Sequence, residues 1–322
     1  MPRKAGLAVV MLVLALTPVV VSSAETAPVI YIAMADGLRV STDGGEAFAL
    51  SSDIEEGQAV GLLISDGMLF VGTASQLSVS ADYGASFTTR TSADGVPTGG
   101  VRAMALMGGR MFIGTGSNYI AVSEDGGATF VRKARLAGWV SSMFVFGETL
   151  YVATGSGLFI STDGGDSYAT RTVADGLGSD LIYSIAADDA SIYLGTRDGL
   201  SISTDGGATF ANRTTDDGLC NNRVNSVWLD GETLYVGTRG GLNISHDGGE
   251  TFEARRKADG LAGDRVSCVM MHESALYVVS DGGLSISYDT GDTFVSPENV
   301  GYLPVGAFAL AVQSVAAEDT QQ

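Results

Sequence analysis

Short runs of alternating apolar and polar residues recur along the chain, separated by glycine-rich turns. The clearest set is Val224-Asn-Ser-Val-Trp-Leu229, Leu234-Tyr-Val-Gly-Thr238, Gly241-Leu-Asn-Ile-Ser245 and Glu250-Thr-Phe-Glu-Ala-Arg255, followed by the polar loop Lys257-Ala-Asp-Gly-Leu-Ala-Gly-Asp264. Alternation of this kind is the mark of half-buried strands, so the unit predicts four short antiparallel strands. Between the third and fourth runs lies a box of the form S-x-D-x-G-x-T-F, seen best in Ser203-Thr-Asp-Gly-Gly-Ala-Thr-Phe210. Its first residue falls at Ser41, Ser80, Ser123, Ser161, Ser203, Ser245 and Ser287, at spacings of 39, 43, 38, 42, 42 and 42 residues. Four strands at that period predict a propeller blade, and seven boxes predict a seven-bladed, all-β ring. The period-2 alternation, the 44 glycines and the abundance of Val, Ile, Tyr and Thr argue against a helical repeat.

Each box reads as a hairpin turn. Asp43, Asp82, Asp125, Asp163, Asp205, Asp247 and Asp289 hold the fixed acidic position, and a glycine two residues later recurs in every copy. Glycine supplies positive φ, and the carboxylate can accept backbone N–H groups a few residues on. The closing aromatic, such as Phe210 or Tyr168, would pack inward. The predicted inner strands share a small residue, Gly61, Ala103, Ser142, Ser184, Ser226 or Cys268, as crowding around an axis requires. The first box has strands near 29–34 and 37–41 ahead of it but no innermost strand, while Val305-Gly-Ala-Phe-Ala-Leu-Ala-Val312 lies orphaned beyond the last box. That run is expected to close the ring as the inner strand of blade 1, which removes two open edges.

The boxes resemble the Asp-box (BNR) repeat of sialidases, sortilin-type receptors, xyloglucan hydrolases and photosystem II assembly factors. In those families the box is a structural turn, so the resemblance implies a propeller and not, by itself, hydrolysis. The sialidase Phe/Tyr-Arg-Ile-Pro signature is absent, with Val29-Ile-Tyr-Ile-Ala-Met34 in the N-terminal region, and a Tyr–Glu nucleophile pair cannot be placed. The seven boxes also depart from the six blades of sialidases. The Asp-Gly-Leu and Gly-Thr-x-x-Gly-Leu pattern resembles propellers of two-component regulators as well, which would imply a sensor.

Residues 1–24 read as a secretory signal: Arg3 and Lys4, an apolar stretch from Ala5 to Val21, and the small residues Ser22-Ser-Ala24 before the cut. The competing reading is an uncleaved anchor, for which the run is short. The propeller is assigned to 25–315 and a disordered tail to 316–322. The chain carries a net charge of −19, two units more negative once Arg3 and Lys4 are gone, which argues against nucleic acid and anionic membrane as partners. Two cysteines, Cys220 and Cys268, make no disulfide framework and are read as unpaired. Two isolated histidines, His246 and His272, make no metal site, and no cofactor fingerprint occurs.

Residues that recur in every unit are structural; those that break the repeat are candidates for function. A basic residue three positions after the box aromatic (Arg90, Lys133, Arg171, Arg213, Arg255) recurs and is read as an outer-strand partner for nearby acids. Four arginines break the pattern on the face opposite the boxes. Arg197 and Arg239 lie in second-to-third-strand loops of blades 5 and 6, and Arg223 and Arg265 begin the inner strands of blades 6 and 7. They are expected either to converge on a carboxylate or to pair with Asp180, Asp198, Asp217 and Asp264. Trp139 is a further candidate contact, whereas Trp228 alternates into a strand as core.

The sequence therefore points to an exported, monomeric, non-catalytic propeller that binds a protein or glycan, an anionic partner suiting the arginines. A sialidase-like glycoside hydrolase acting on acidic sugars is the competing class. The mature protein is expected to start at or near Glu25, which the intact mass of the exported product checks; retention of 1–24 in a membrane fraction would mean an anchor instead.

Overall fold

The computed structural model describes residues 27–54, 59–297 and 309–315. The expected signal segment, Glu25, and the expected tail lie outside the described residues. Seven antiparallel sheets succeed one another along the chain, six of four strands and one of three. Blade 6 shows the pattern: Val224–Asp230, Thr233–Thr238, Gly241–Ser245 and Glu253–Arg255. Its outer strand starts later than the alternation suggested, because Thr251 is bonded to the box aspartate rather than to the neighbouring strand. Blade 7 departs from the four-strand expectation. Beyond Gly283–Ser287 its outer strand shrinks to one bridge between Ile286 and Val295.

The ring closes as the orphan run suggested. Ala309–Gln313 pairs antiparallel with Val29–Met34, Tyr31 opposite Ala311, and completes blade 1. The strand begins later than expected, and 305–308 lie outside the described residues. Buried apolar residues form seven clusters, each shared by two adjacent blades. The cluster of Ile30, Ile32 and Met34 with Tyr277, Val279 and Ile286 belongs to the seam between blades 7 and 1. The core is thus a ring of inter-blade layers, and opening one seam exposes two sheet faces.

The box is a small hydrogen-bonded cage, the same in all seven copies. The serine hydroxyl donates to the aspartate Oδ1 at 2.7–2.8 Å and accepts the N–H of the second glycine at 2.8 Å. The same Oδ1 accepts the N–H four residues on, at 2.9–3.0 Å. In six copies a Ser or Thr hydroxyl there also donates to Oδ2; Ala47 leaves the first copy without that bond. The second glycine needs its missing side chain twice over. Gly249 sits at φ 90°, and a Cβ there would come within 2.6 Å of Ile202 in the preceding blade.

The recurring basic residue does more than the expected pairing with acids. Arg213 and Arg255 do meet Glu250 and Asp292, and Lys133 meets Asp166. In addition, Arg171, Arg213 and Arg255 each donate Nε to the carbonyl of the next blade's box glycine, Gly207, Gly249 and Gly291, at 2.5–3.0 Å. The guanidinium therefore clamps each hairpin to the preceding blade. The Ala-Asp-Gly and Asp-Asp-Gly loops form single 3-10 turns, closed by Gly95, Gly176, Gly218 and Gly260 in left-handed geometry. Cys220 and Cys268 form no disulfide, and burial pushes the Cys268 thiol up to about 12.

Two measurements follow from this construction. Chain 1–304 lacks the inner strand of blade 1, so it should melt well below the full chain across the whole ring; an unchanged Tm would mean the closure carries no stability. The second concerns acid. Hydrogen bonds from Thr129, Ser167 and Thr209 hold the carboxyls of Asp125, Asp163 and Asp205 well below the usual range, and those from Thr251 and Thr293 lower Asp247 and Asp289 to about 2. Depressed folded-state values stabilise the fold above the unfolded aspartate value of about 3.9 and lose that contribution as pH falls through the folded values. Thermal melts should show Tm dropping below about pH 4, with a shallower drop in Asp247→Ala, which starts from a lower Tm at neutral pH.

Candidate functional site

Six inner strands carry a bulge at the same place, between Ala59 and Gly61, Val101 and Ala103, Val140 and Ser142, Ile182 and Ser184, Val224 and Ser226, and Val266 and Cys268. A bulge inserts one unpaired residue and re-aims its side chain. Here the inserted residues are Val60, Arg102, Ser141, Tyr183, Asn225 and Ser267, and all six line an axial cavity of about 240 Å³. The flanking positions repeat around the ring; this position does not. The small residue after it is also structural. Ser184 Oγ accepts the Val227 N–H, and Ser226 Oγ accepts the Val269 N–H, both at 3.1 Å, tying each inner strand to the next blade.

The arginines stand around this mouth. A backbone bond repeats in the loops above it: Arg197 N–H donates to the Leu181 carbonyl, Arg239 N–H to that of Arg223, and Asp281 N–H to that of Arg265. The middle bond holds Arg239 beside Arg223. Partial desolvation and the charges of Arg223 and Arg265 lower the Arg239 pKa. Arg223 also lies 4.3 Å from the centre of the Tyr183 ring and donates Nε to Asn225 Oδ1 at 3.1 Å. Asn225 in turn donates Nδ2 to the Val266 carbonyl at 2.7 Å. Arg197 is exposed, its side chain making no hydrogen bond, ion pair or ring contact among the described residues.

The alternative pairing with acids does not occur. Asp180 Oδ1 accepts the Val173 N–H, Asp217 Oδ2 accepts the Thr214 N–H, and Asp264 Oδ1 accepts the Lys257 N–H, at 2.7–2.8 Å. The Asp198 carbonyl accepts Asn212 Nδ2. Among the described residues none of the four guanidinium groups has a carboxylate within 4.0 Å, although the Arg265 N–H donates to Asp281 Oδ1 at 3.1 Å. Three of the four aspartates are spent on backbone N–H groups, and Arg197, Arg239 and Arg265 are left exposed to solvent.

Arg102 and Trp139 complete the site. The Arg102 guanidinium lies 4.9 Å from the indole centre of Trp139, and its Nε is buried with no acceptor. Burial lowers its pKa. Trp139 is half-buried, with Gly155 packed so close that a Cβ there would fall 2.8 Å from the indole nitrogen. Arg102, Tyr183 and Asn225 were not singled out from the sequence. The signal existed in the residue before each small inner-strand position, a place in that strand where the repeats disagree. Trp228, expected in the core, is half-buried: it packs against the cluster between blades 6 and 7 and borders the axial cavity. His246 and His272 bond Thr233 and Ser314 near the hairpin side, away from the mouth. No group of metal-ligating side chains occurs among the described residues.

No family model matches the sequence, and no curated relative does. Solved structures do resemble the fold. The extracellular domain of BT4673 from B. thetaiotaomicron aligns with a TM-score of 0.64 and 16% identity, over 83% of this chain and 39% of that one. YCF48 bound to D1 peptide aligns with a TM-score of 0.62 and 13% identity, over 82% of this chain and 93% of that one. The GH74 enzyme of Niastella koreensis gives 0.58 and 16%, over 89% of this chain and 47% of that one. The chain thus spans well under half the length of the BT4673 structure and about half of the GH74 enzyme. At these identities the likeness is one of fold alone. No helix among the described residues is long and apolar enough to cross a membrane.

Proposed function

We propose that this chain is an exported, non-catalytic propeller of the Asp-box type that binds an anionic partner, protein or glycan, at the mouth of its axial cavity. One observation carries the reading: Arg239, bonded through its N–H to the Arg223 carbonyl, and the exposed Arg265 stand on one face with no carboxylate within 4.0 Å of any of the three guanidinium groups, on a chain of net charge −19. Like charges held close are unfavourable unless an anion offsets them, so an acidic group is their natural occupant. The surrounding acids are committed to turn hydrogen bonds and do not compete for the arginines. YCF48, which shares the fold, was solved with a bound peptide, consistent with a binding role for such a propeller.

Replacing Arg239 and Arg265 with Ala together should weaken binding of the native partner by roughly a hundredfold or more, since charge-assisted hydrogen bonds are worth about 1.5–3 kcal/mol each. The fold should survive, because both residues are exposed. Affinity of the parent should fall with added salt. Pull-down from the native envelope followed by titration of the recovered partner against parent and variant checks this; equal affinities would remove the arginine cluster from the site.

A further inference from the structure

Among the described residues Arg102 and Arg39 each bury an unpaired Nε, but Arg39 also meets Asp36 whereas Arg102 meets no carboxylate. It occupies the bulge position of blade 3, borders the axial cavity, and buries an Nε–H that meets no acceptor. A buried donor left unpaired is costly, so an acceptor from outside the chain is its natural partner. The cluster of Arg223, Arg239 and Arg265 belongs to blades 6 and 7, as far from blade 3 as a seven-membered ring allows. Each guanidinium is engaged on its own aromatic ring, Arg102 on Trp139 of blade 4 and Arg223 on Tyr183 of blade 5. Arg223 and Arg265 depress the Arg239 pKa, whereas burial alone depresses that of Arg102. One carboxylate cannot satisfy both sides of the mouth.

We infer that the mouth reads two carboxylates at once on an extended acidic peptide segment, one held by the Arg223–Arg239–Arg265 cluster and the other by Arg102 on its Trp139 platform. The inference rests on the anion-binding reading above and names its ligand. A peptide suits the mouth better than a carboxylated glycan for two reasons. Sugar rings are held by open aromatic faces, but Trp139 lies between Arg102 and Gly155, and the Tyr183 ring carries Arg223. Sugar hydroxyls also need acceptors, and Asn225 Oδ1 is already engaged by Arg223. In an extended chain alternate side chains share one side, about 7 Å apart, so acidic residues two or four positions apart can reach across the axis.

The test is fluorescence anisotropy with fluorescein-labelled octaglutamate, alongside competition by tetragalacturonate. Octaglutamate should bind the parent in a salt-sensitive way. Arg102→Met, which keeps the length and apolar bulk of the stem, should weaken binding about tenfold. Arg102→Lys, which keeps the charge but loses the Nε donor, should fall between the two and serves if the Met variant melts early. If both Arg102 variants bind octaglutamate like the parent while Arg239→Ala/Arg265→Ala has lost it, the anion-binding face stands and two-point reading is overturned. Tighter binding of tetragalacturonate than of octaglutamate overturns the peptide assignment. If neither probe binds the parent, the anion-binding reading itself fails and this inference with it.

Discussion

The structure depends on a buried hydroxyl. In each box the serine is only 1% exposed, and its oxygen accepts the glycine N–H while its proton goes to the aspartate. That arrangement satisfies a backbone donor at a turn too tight to pair internally. It also fixes the glycine in left-handed geometry, which brings the backbone against the preceding blade. The glycine carbonyl is then free to accept the guanidinium of Arg171, Arg213 or Arg255. A local turn and an inter-blade contact are therefore the same object, and repeating it seven times builds the ring.

Repetition makes the exceptions informative. The scaffold positions repeat because each blade must present the same faces to its neighbours. The bulge position escapes that constraint, since its side chain points into the axial cavity rather than between sheets. Val, Arg, Ser, Tyr, Asn and Ser succeed one another there. The loops above supply further arginines, while their acids cap 3-10 turns. An acidic protein thereby presents unneutralised guanidinium groups at one mouth, where a desolvated anion would be held more strongly than on an open surface.

The blade count, the box hairpins and the closing strand were legible in the sequence because each rests on short-range rules. Alternation specifies a strand, Asp-Gly-Gly specifies a turn, and an unmatched inner strand at one end calls for a mate at the other. Those rules also located Arg223, Arg239 and Arg265 on one face. They could not say whether Asp180, Asp217 and Asp264 would neutralise them, because a carboxylate has two uses and the turn geometry decided for the backbone N–H groups. Nor could they find Arg102. Its isolation from any acceptor, its stacking on Trp139 and its place across the axis from the cluster arise only when the ring has closed, since they join residues from different blades. A one-residue bulge turns such a side chain from the sheet face to the axis, and whether a strand bulges is settled by the packing of the next blade against it, which alternation along a single chain does not encode.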